Sequence, residues 1–185
     1  MTIKNKLGLA VGVTAAAVGI AALSLPGMAS ASAAQPASRA VNAPITCAFQ
    51  TTNGHYVTAV GAGGRITDVI HTDATRVGSW ERFTLVDSGD GSSNIHYGLR
   101  TSNGYYLTAV GGGGRITDVI HSDATHLLAW EKFSLVSLGF GVYAIQTIDG
   151  HYLTAVGGGG RTTDTIHSDA TRVGSWEDFR LTCGI

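Results

Sequence analysis

The stretch TTNGHYVTAVGAGGRITDVIHTDATRVGSWERFTLV, residues 51–86, returns almost unchanged as TSNGYYLTAVGGGGRITDVIHSDATHLLAWEKFSLV at 101–136 and as TIDGHYLTAVGGGGRTTDTIHSDATRVGSWEDFRLT at 147–182. Trp80, Trp130 and Trp176 mark the period, and the first interval is the longer because extra residues lie in the connection at 87–96. Each copy is one supersecondary unit that buries its apolar face only against its neighbours. Three similar units without atypical caps imply closure about a threefold axis, whereas an open solenoid carries capping ends.

Within a copy the pattern is short strands with turn punctuation. Asn53-Gly54, Asn103-Gly104 and Asp149-Gly150 read as hairpin turns of type I′, which need positive φ at both central positions. The strand after the first turn, His55 to Val60, places Val57 and Ala59 on one face and Tyr56, Thr58 and Val60 on the other. A glycine run from Gly61 to Gly64 breaks it. A further strand is expected from about Val69 to Asp73, and a last one from Trp80 to Val86 with Phe83 and Leu85 sharing a face. Counting the strand before each turn, Ala48 to Thr51 in the first copy, the plan is four strands per copy. The fold class is therefore all-β: a β-trefoil of three four-stranded repeats with pseudo-threefold symmetry, six strands in a barrel and six in capping hairpins. A β-propeller competes, but three blades fall below the usual minimum of about four.

A polar cassette recurs in every copy: Arg65, Asp68, His71 and Asp73, then Arg115, Asp118, His121 and Asp123, then Arg161, Asp164, His167 and Asp169. Apolar positions beside it drift, Ile66 and Ile116 becoming Thr162 and Val69 and Val119 becoming Thr165, while the cassette does not vary. Ile70, Ile120 and Ile166 are expected to point into the core, so the adjacent histidines point outward. The cassette is read as ligand-binding, with loop scaffolding through backbone hydrogen bonds as the alternative. Trp80, Trp130 and Trp176 are read as core beside Phe83, Phe133 and Phe179, with sugar-stacking platforms as the alternative because their parity differs. The glycine runs lack the Gly-Lys-Ser/Thr of a phosphate loop and lead toward a strand rather than a helix. No nucleophile elbow or other catalytic signature flanks any serine, so no catalytic residue is assigned. One His and its carboxylates per copy make a poor zinc site. A weak calcium site from Asp68 and Asp73 is the remaining metal alternative; no metal or cofactor is assigned.

The elements Gly54-His55-Tyr56-Val57-Thr58-Ala59 with Trp80-Glu81-Arg82-Phe83 recur as Gly104-Tyr105-Tyr106-Leu107-Thr108-Ala109 with Trp130-Glu131-Lys132-Phe133. The third set is Gly150-His151-Tyr152-Leu153-Thr154-Ala155 with Trp176-Glu177-Asp178-Phe179. In them the chain resembles the fascin-like β-trefoils from Cys47 to its end. Cytoplasmic members of that family bundle actin, while exported trefoils of this look accompany polysaccharide-degrading enzymes or act as lectins. The resemblance therefore implies a trefoil fold and leans toward glycan binding. The stretch from Gly64 to Thr75 is longer and more polar than the family's usual turn.

At the start of the chain Lys4 and Lys6 precede an apolar run from Leu7 to Leu25, closed by Pro26-Gly27 and followed by Ala29-Ser30-Ala31 and Ala31-Ser32-Ala33. That order reads as a secretory signal peptide over 1–33 rather than a membrane anchor. A short disordered lead at 34–46 and the trefoil domain at 47–185 are expected to follow. Net charge is −1 with 14% charged residues and no basic cluster after the leader, which leaves nucleic-acid binding without its electrostatic footprint. The two cysteines, Cys47 and Cys183, stand at the two ends of the domain and are expected to pair in an oxidising compartment. The sequence thus predicts a secreted, monomeric, non-enzymatic protein that takes a polysaccharide or glycan at up to three equivalent sites, with no nucleic-acid or membrane partner once the signal is cut. A secreted protease inhibitor and a structural or cell-surface interaction protein are the alternatives. An inhibitor needs one loop unlike its symmetry mates; 87–96 is the sequence's candidate, with the variation Thr125-His126-Leu127-Leu128-Ala129 a distant second.

Overall fold

The computed structural model describes residues 43–185; the expected signal peptide and all but the last residues of the expected lead lie outside the described residues. Twelve strands follow in chain order. They are β1 (Ile45–Gln50), β2 (Tyr56–Ala59), β3 (Ile70–Ala74), β4 (Phe83–Asp87), β5 (His96–Arg100) and β6 (Tyr106–Ala109), then β7 (Ile120–Ala124), β8 (Lys132–Gly139), β9 (Val142–Thr147), β10 (Tyr152–Ala155), β11 (Ile166–Ala170) and β12 (Phe179–Cys183). The first strand begins at Ile45, ahead of the boundary drawn at Cys47, because Ile45 and Thr46 pair with Leu85 and Thr84 of β4.

Antiparallel pairing runs β1–β4–β5–β8–β9–β12 and back to β1, which closes a six-stranded barrel. Closure removes every sheet edge of the barrel, the position from which sheets aggregate. The hairpins β2–β3, β6–β7 and β10–β11 supply the other six strands. Phe49, Phe83, Phe133 and Phe179 fill the core, each at most 1% exposed, with Phe49 and Phe83 edge-to-face at 5.7 Å between centroids. Ile70, Ile120 and Ile166 join them, so the histidine after each isoleucine points away, as expected. Cys47 and Cys183 are register partners across β1 and β12, their Cα atoms 4.0 Å apart, and are disulfide-bonded.

Three expectations need correction. The hairpin turn is not type I′, since among its residues only Gly54 (φ +84°) has positive φ, as do Gly104 and Gly150 in the other copies. The Gly54 N–H reaches Thr51 O and the Thr51 N–H reaches His55 O, the pattern of a three-residue loop ending on a left-handed glycine. Asn53 is used instead to join copies, its Nδ2 donating to Gly157 O and its backbone N–H to Gly158 O. In β2 the alternation fails, because the register shifts between Tyr56 and Thr58 and leaves Val57, Thr58 and Ala59 all buried. Trp80 is neither in the last strand nor in the core. That strand starts at Phe83, and Trp80, Trp130 and Trp176 are 45%, 49% and 48% exposed.

Each glycine run clasps the next copy. The Gly64 N–H donates to Ser122 O at 2.6 Å and the Ser122 N–H to Arg65 O at 2.8 Å. Gly114 and Arg115 grip Ser168 in the same way, and Gly160 and Arg161 grip Thr72, so the ring of clasps returns to the first copy. Thr72, Ser122 and Ser168 are fully buried as a result. Glycine is required beside the clasp, where Gly113, at a φ of +122°, packs so closely on Thr147 that a Cβ would collide with Oγ1.

The connection from β4 to β5 breaks the threefold pattern and is tied down by Asp90. Its carboxylate accepts from Lys132 Nζ at 3.0 Å, from the Ser92 N–H at 3.1 Å and from His96 Nδ1 at 2.9 Å. Lys132 first, then these hydrogen bonds, hold Asp90 well below the usual carboxylate range. A folded pKa below the unfolded one stabilises the fold above the unfolded value and loses that contribution as pH falls toward the folded one. Asp90→Asn is thus expected to lower the denaturation midpoint slightly at neutral pH. The gap to the wild type should close as pH drops below about 4, near the unfolded carboxylate pKa; a gap that widens in acid would contradict the assignment.

Candidate functional site

The clasp fixes the start of the cassette and the hairpin fixes its end, so Arg65, Asp68 and His71 meet. Arg65 sends Nε to Thr67 O and NH2 to Asp68 Oδ2, both at 3.2 Å. The His71 ring donates Nε2–H to Asp68 Oδ1 at 2.7 Å, a carboxylate being able only to accept. Each contact recurs: Arg115 and Arg161 reach Asp118 and Asp164 at 3.5 Å, and His121 and His167 reach them at 2.7 Å. Asp68, Asp118 and Asp164 sit at φ +49°, +50° and +48°, a left-handed conformation that Asp tolerates better than most residues.

Every one of these carboxylates is half exposed, at 52–53% of the side chain. One lone pair on each oxygen is used inside the cluster and another faces water, so the aspartate is oriented by its neighbours yet still open to a donor. Asp73, Asp123 and Asp169 lie on the outward face with the histidines and are exposed. They stand apart from the Arg-Asp-His cluster. Among the described residues no group of three or more His, Cys, Asp or Glu could hold a metal ion. The three loops also meet at one end of the barrel. There Ile66, Ile116 and Thr162 ring a depression of about 610 Å³, with Asp68, Asp118 and Asp164 on its wall.

Sequence reasoning missed what stands behind the cluster. Thr58 pairs with His71 across the hairpin, and its Oγ1–H donates to the buried carboxylate of Glu81 at 2.8 Å. The other oxygen of Glu81 accepts the Gly78 N–H at 2.7 Å. Thr108 with Glu131 and Thr154 with Glu177 repeat the bond. The signal was available in the invariance of Thr58 and Glu81 across copies and in Glu81 sharing the parity of Phe83 and Leu85, but strand parity put Thr58 on the outward face. A further asymmetric turn escaped notice: Phe140, wholly exposed at φ +53°, tips the turn between β8 and β9.

The closed barrel capped by three hairpins is the β-trefoil architecture. No family model and no curated protein matches the chain. Solved structures do. A designed threefold-symmetric protein, ThreeFoil, matches at TM-score 0.60 and 17% identity over 75% of this chain and 97% of that one. The Rhizoctonia solani agglutinin matches at TM-score 0.58 and 14% identity, over 80% and 98%. SeviL, solved with the asialo-GM1 saccharide, matches at TM-score 0.55 and 13% identity over 77% and 100%. At these identities the likeness is one of fold.

Proposed function

We propose that the protein is a secreted, non-enzymatic, multivalent carbohydrate-binding module, a fascin-like trefoil of three four-stranded repeats that works as a monomer. The observation that carries this reading is the half-exposed aspartate of each copy, set between an arginine and a histidine with free acceptor capacity, the chemistry that takes sugar hydroxyls. Lectins sharing the fold support it, as does a disulfide suited to an extracellular protein. Three equivalent weak sites on one rigid body raise avidity toward a repeating polymer without any new contact. Catalysis, by contrast, calls for one pre-organised site.

A glycan array probed with the protein lacking residues 1–33 tests the reading, together with the variant Asp68→Asn/Asp118→Asn/Asp164→Asn. Asparagine tolerates left-handed φ as aspartate does, so the loop keeps its shape while the charge is lost. Single changes should weaken polymer binding several-fold, and the triple variant should lose roughly 100-fold or more as avidity collapses. Unchanged glycan binding with a lowered melting temperature would make the cluster a scaffold. A second reading, inhibition of secreted proteases through one asymmetric loop, draws on Phe140; inhibition of such a protease by the purified protein would select it.

A further inference from the structure

We infer that Trp80, Trp130 and Trp176 are the apolar half of each site, three indole platforms on which a pyranose ring of a polysaccharide stacks. The inference rests on the carbohydrate reading above and adds the surface on which the ring lies. Single exposed apolar residues are ordinary on protein surfaces. These three are different in kind: they are the whole tryptophan content of the chain, and all three are about half exposed at symmetry-equivalent positions.

Each indole is also held on a braced turn. The carbonyl of Trp80 accepts the Ala59 N–H at 2.9 Å, and the next residue is the buried Glu81, bonded to Thr58 and to the Gly78 N–H. Trp130 and Trp176 repeat both contacts through Ala109 and Ala155, and through Glu131 and Glu177. The loop ahead of the indole drifts from Arg76-Val77-Gly78-Ser79 to His126-Leu127-Leu128-Ala129 while the tryptophan stays. Packing does not explain that persistence, since the core positions of the motif are taken by Phe83, Phe133 and Phe179. A ready link to the polar half exists as well, for Thr58 both pairs with His71 and holds Glu81. An apolar ring face for stacking beside placed polar groups suits a sugar, which has C–H bonds on one face and hydroxyls at its rim.

The experiment uses immobilised cellulose, xylan, chitin, β-1,3-glucan and arabinogalactan. The proteins compared are the wild type, Trp80→Ala/Trp130→Ala/Trp176→Ala, the corresponding Phe variant and the aspartate-to-asparagine triple. Each single Trp→Ala change is expected to weaken binding roughly 3–10-fold, and the triple change about 100-fold or more. The Phe variant, which keeps a smaller ring, should fall between. Should the Ala variant fail to fold, the wild type alone decides the matter. Soluble oligosaccharide of the bound polymer must shift the indole emission to the blue and shield it from acrylamide. Wild-type binding kept by the Trp variants, or an emission that ignores saturating oligosaccharide, would overturn the platforms and leave the aspartate sites standing. No wild-type binding to any of the five polymers or on the array would overturn the carbohydrate reading itself.

Discussion

Replacing Cys47 and Cys183 together by alanine is expected to lower the melting temperature by roughly 10–20 °C while leaving the fold in place. The bridge spans a sequence separation of 136 and closes nearly the whole domain. In the chain-entropy account, a loop of that length restricts the unfolded ensemble by about 4–5 kcal/mol. Position adds to length. The two residues are partners between β1 and β12, the seam where the barrel's last strand returns to its first, so the bridge staples the one joint that no chain connection crosses. The joint also carries the clasp of Arg161 on Thr72, which is why the reduced protein should still fold. Thermal unfolding followed by circular dichroism checks the prediction, and a shift of only a few degrees would mean that the seam is held by the ladder and the clasp alone.

Much of the architecture is legible in the sequence, because three near-copies leave little room for other closures. The inward Ile70, Ile120 and Ile166, the buried Phe83, Phe133 and Phe179 and the Cys47–Cys183 pairing all follow from alternation and placement. What failed has separate causes. Alternation supposes a regular ladder, and the register shift between Tyr56 and Thr58 carries Thr58 inward, where it meets Glu81. Placing Trp80 in the core goes against parity: Glu81 shares the face of Phe83 and Leu85 and takes the buried place, while Trp80, of the opposite parity, lies outside. Contacts between copies were equally invisible: the burial of Ser122 by Gly64 and Arg65 depends on how far each copy is turned about the axis, and a repeat period carries no such angle. At the candidate site, recurrence picked out Arg65, Asp68 and His71. The pairing of the aspartate with both neighbours, and the distance of Asp73 from that pairing, needed the loop's path.

The second large effect should come from Glu131, a charged residue type that the fold buries. Its Oε1 accepts from Thr108 Oγ1 at 2.7 Å and its Oε2 from the Leu128 N–H at 2.9 Å, with the glutamate 6% exposed and the threonine 8%. Hydrogen bonds to a charged partner contribute about 1.5–3 kcal/mol each, and a buried donor left without its acceptor costs its full desolvation. Glu131→Ala strands both donors, so the expected loss is about 3–5 kcal/mol, measured by urea denaturation with an unchanged slope. Glu131→Gln keeps one acceptor oxygen for Thr108 and turns an amide N–H toward the Leu128 N–H, and should cost about half as much. Because Leu128 begins the turn that carries Trp130, the alanine variant should also leave that indole more open to acrylamide than in the wild type, well below the unfolding transition. A loss under about 1 kcal/mol, the range of ordinary surface substitutions and little more, would show that the Thr108–Glu131 bond is incidental and that something other than the carboxylate positions the tryptophan.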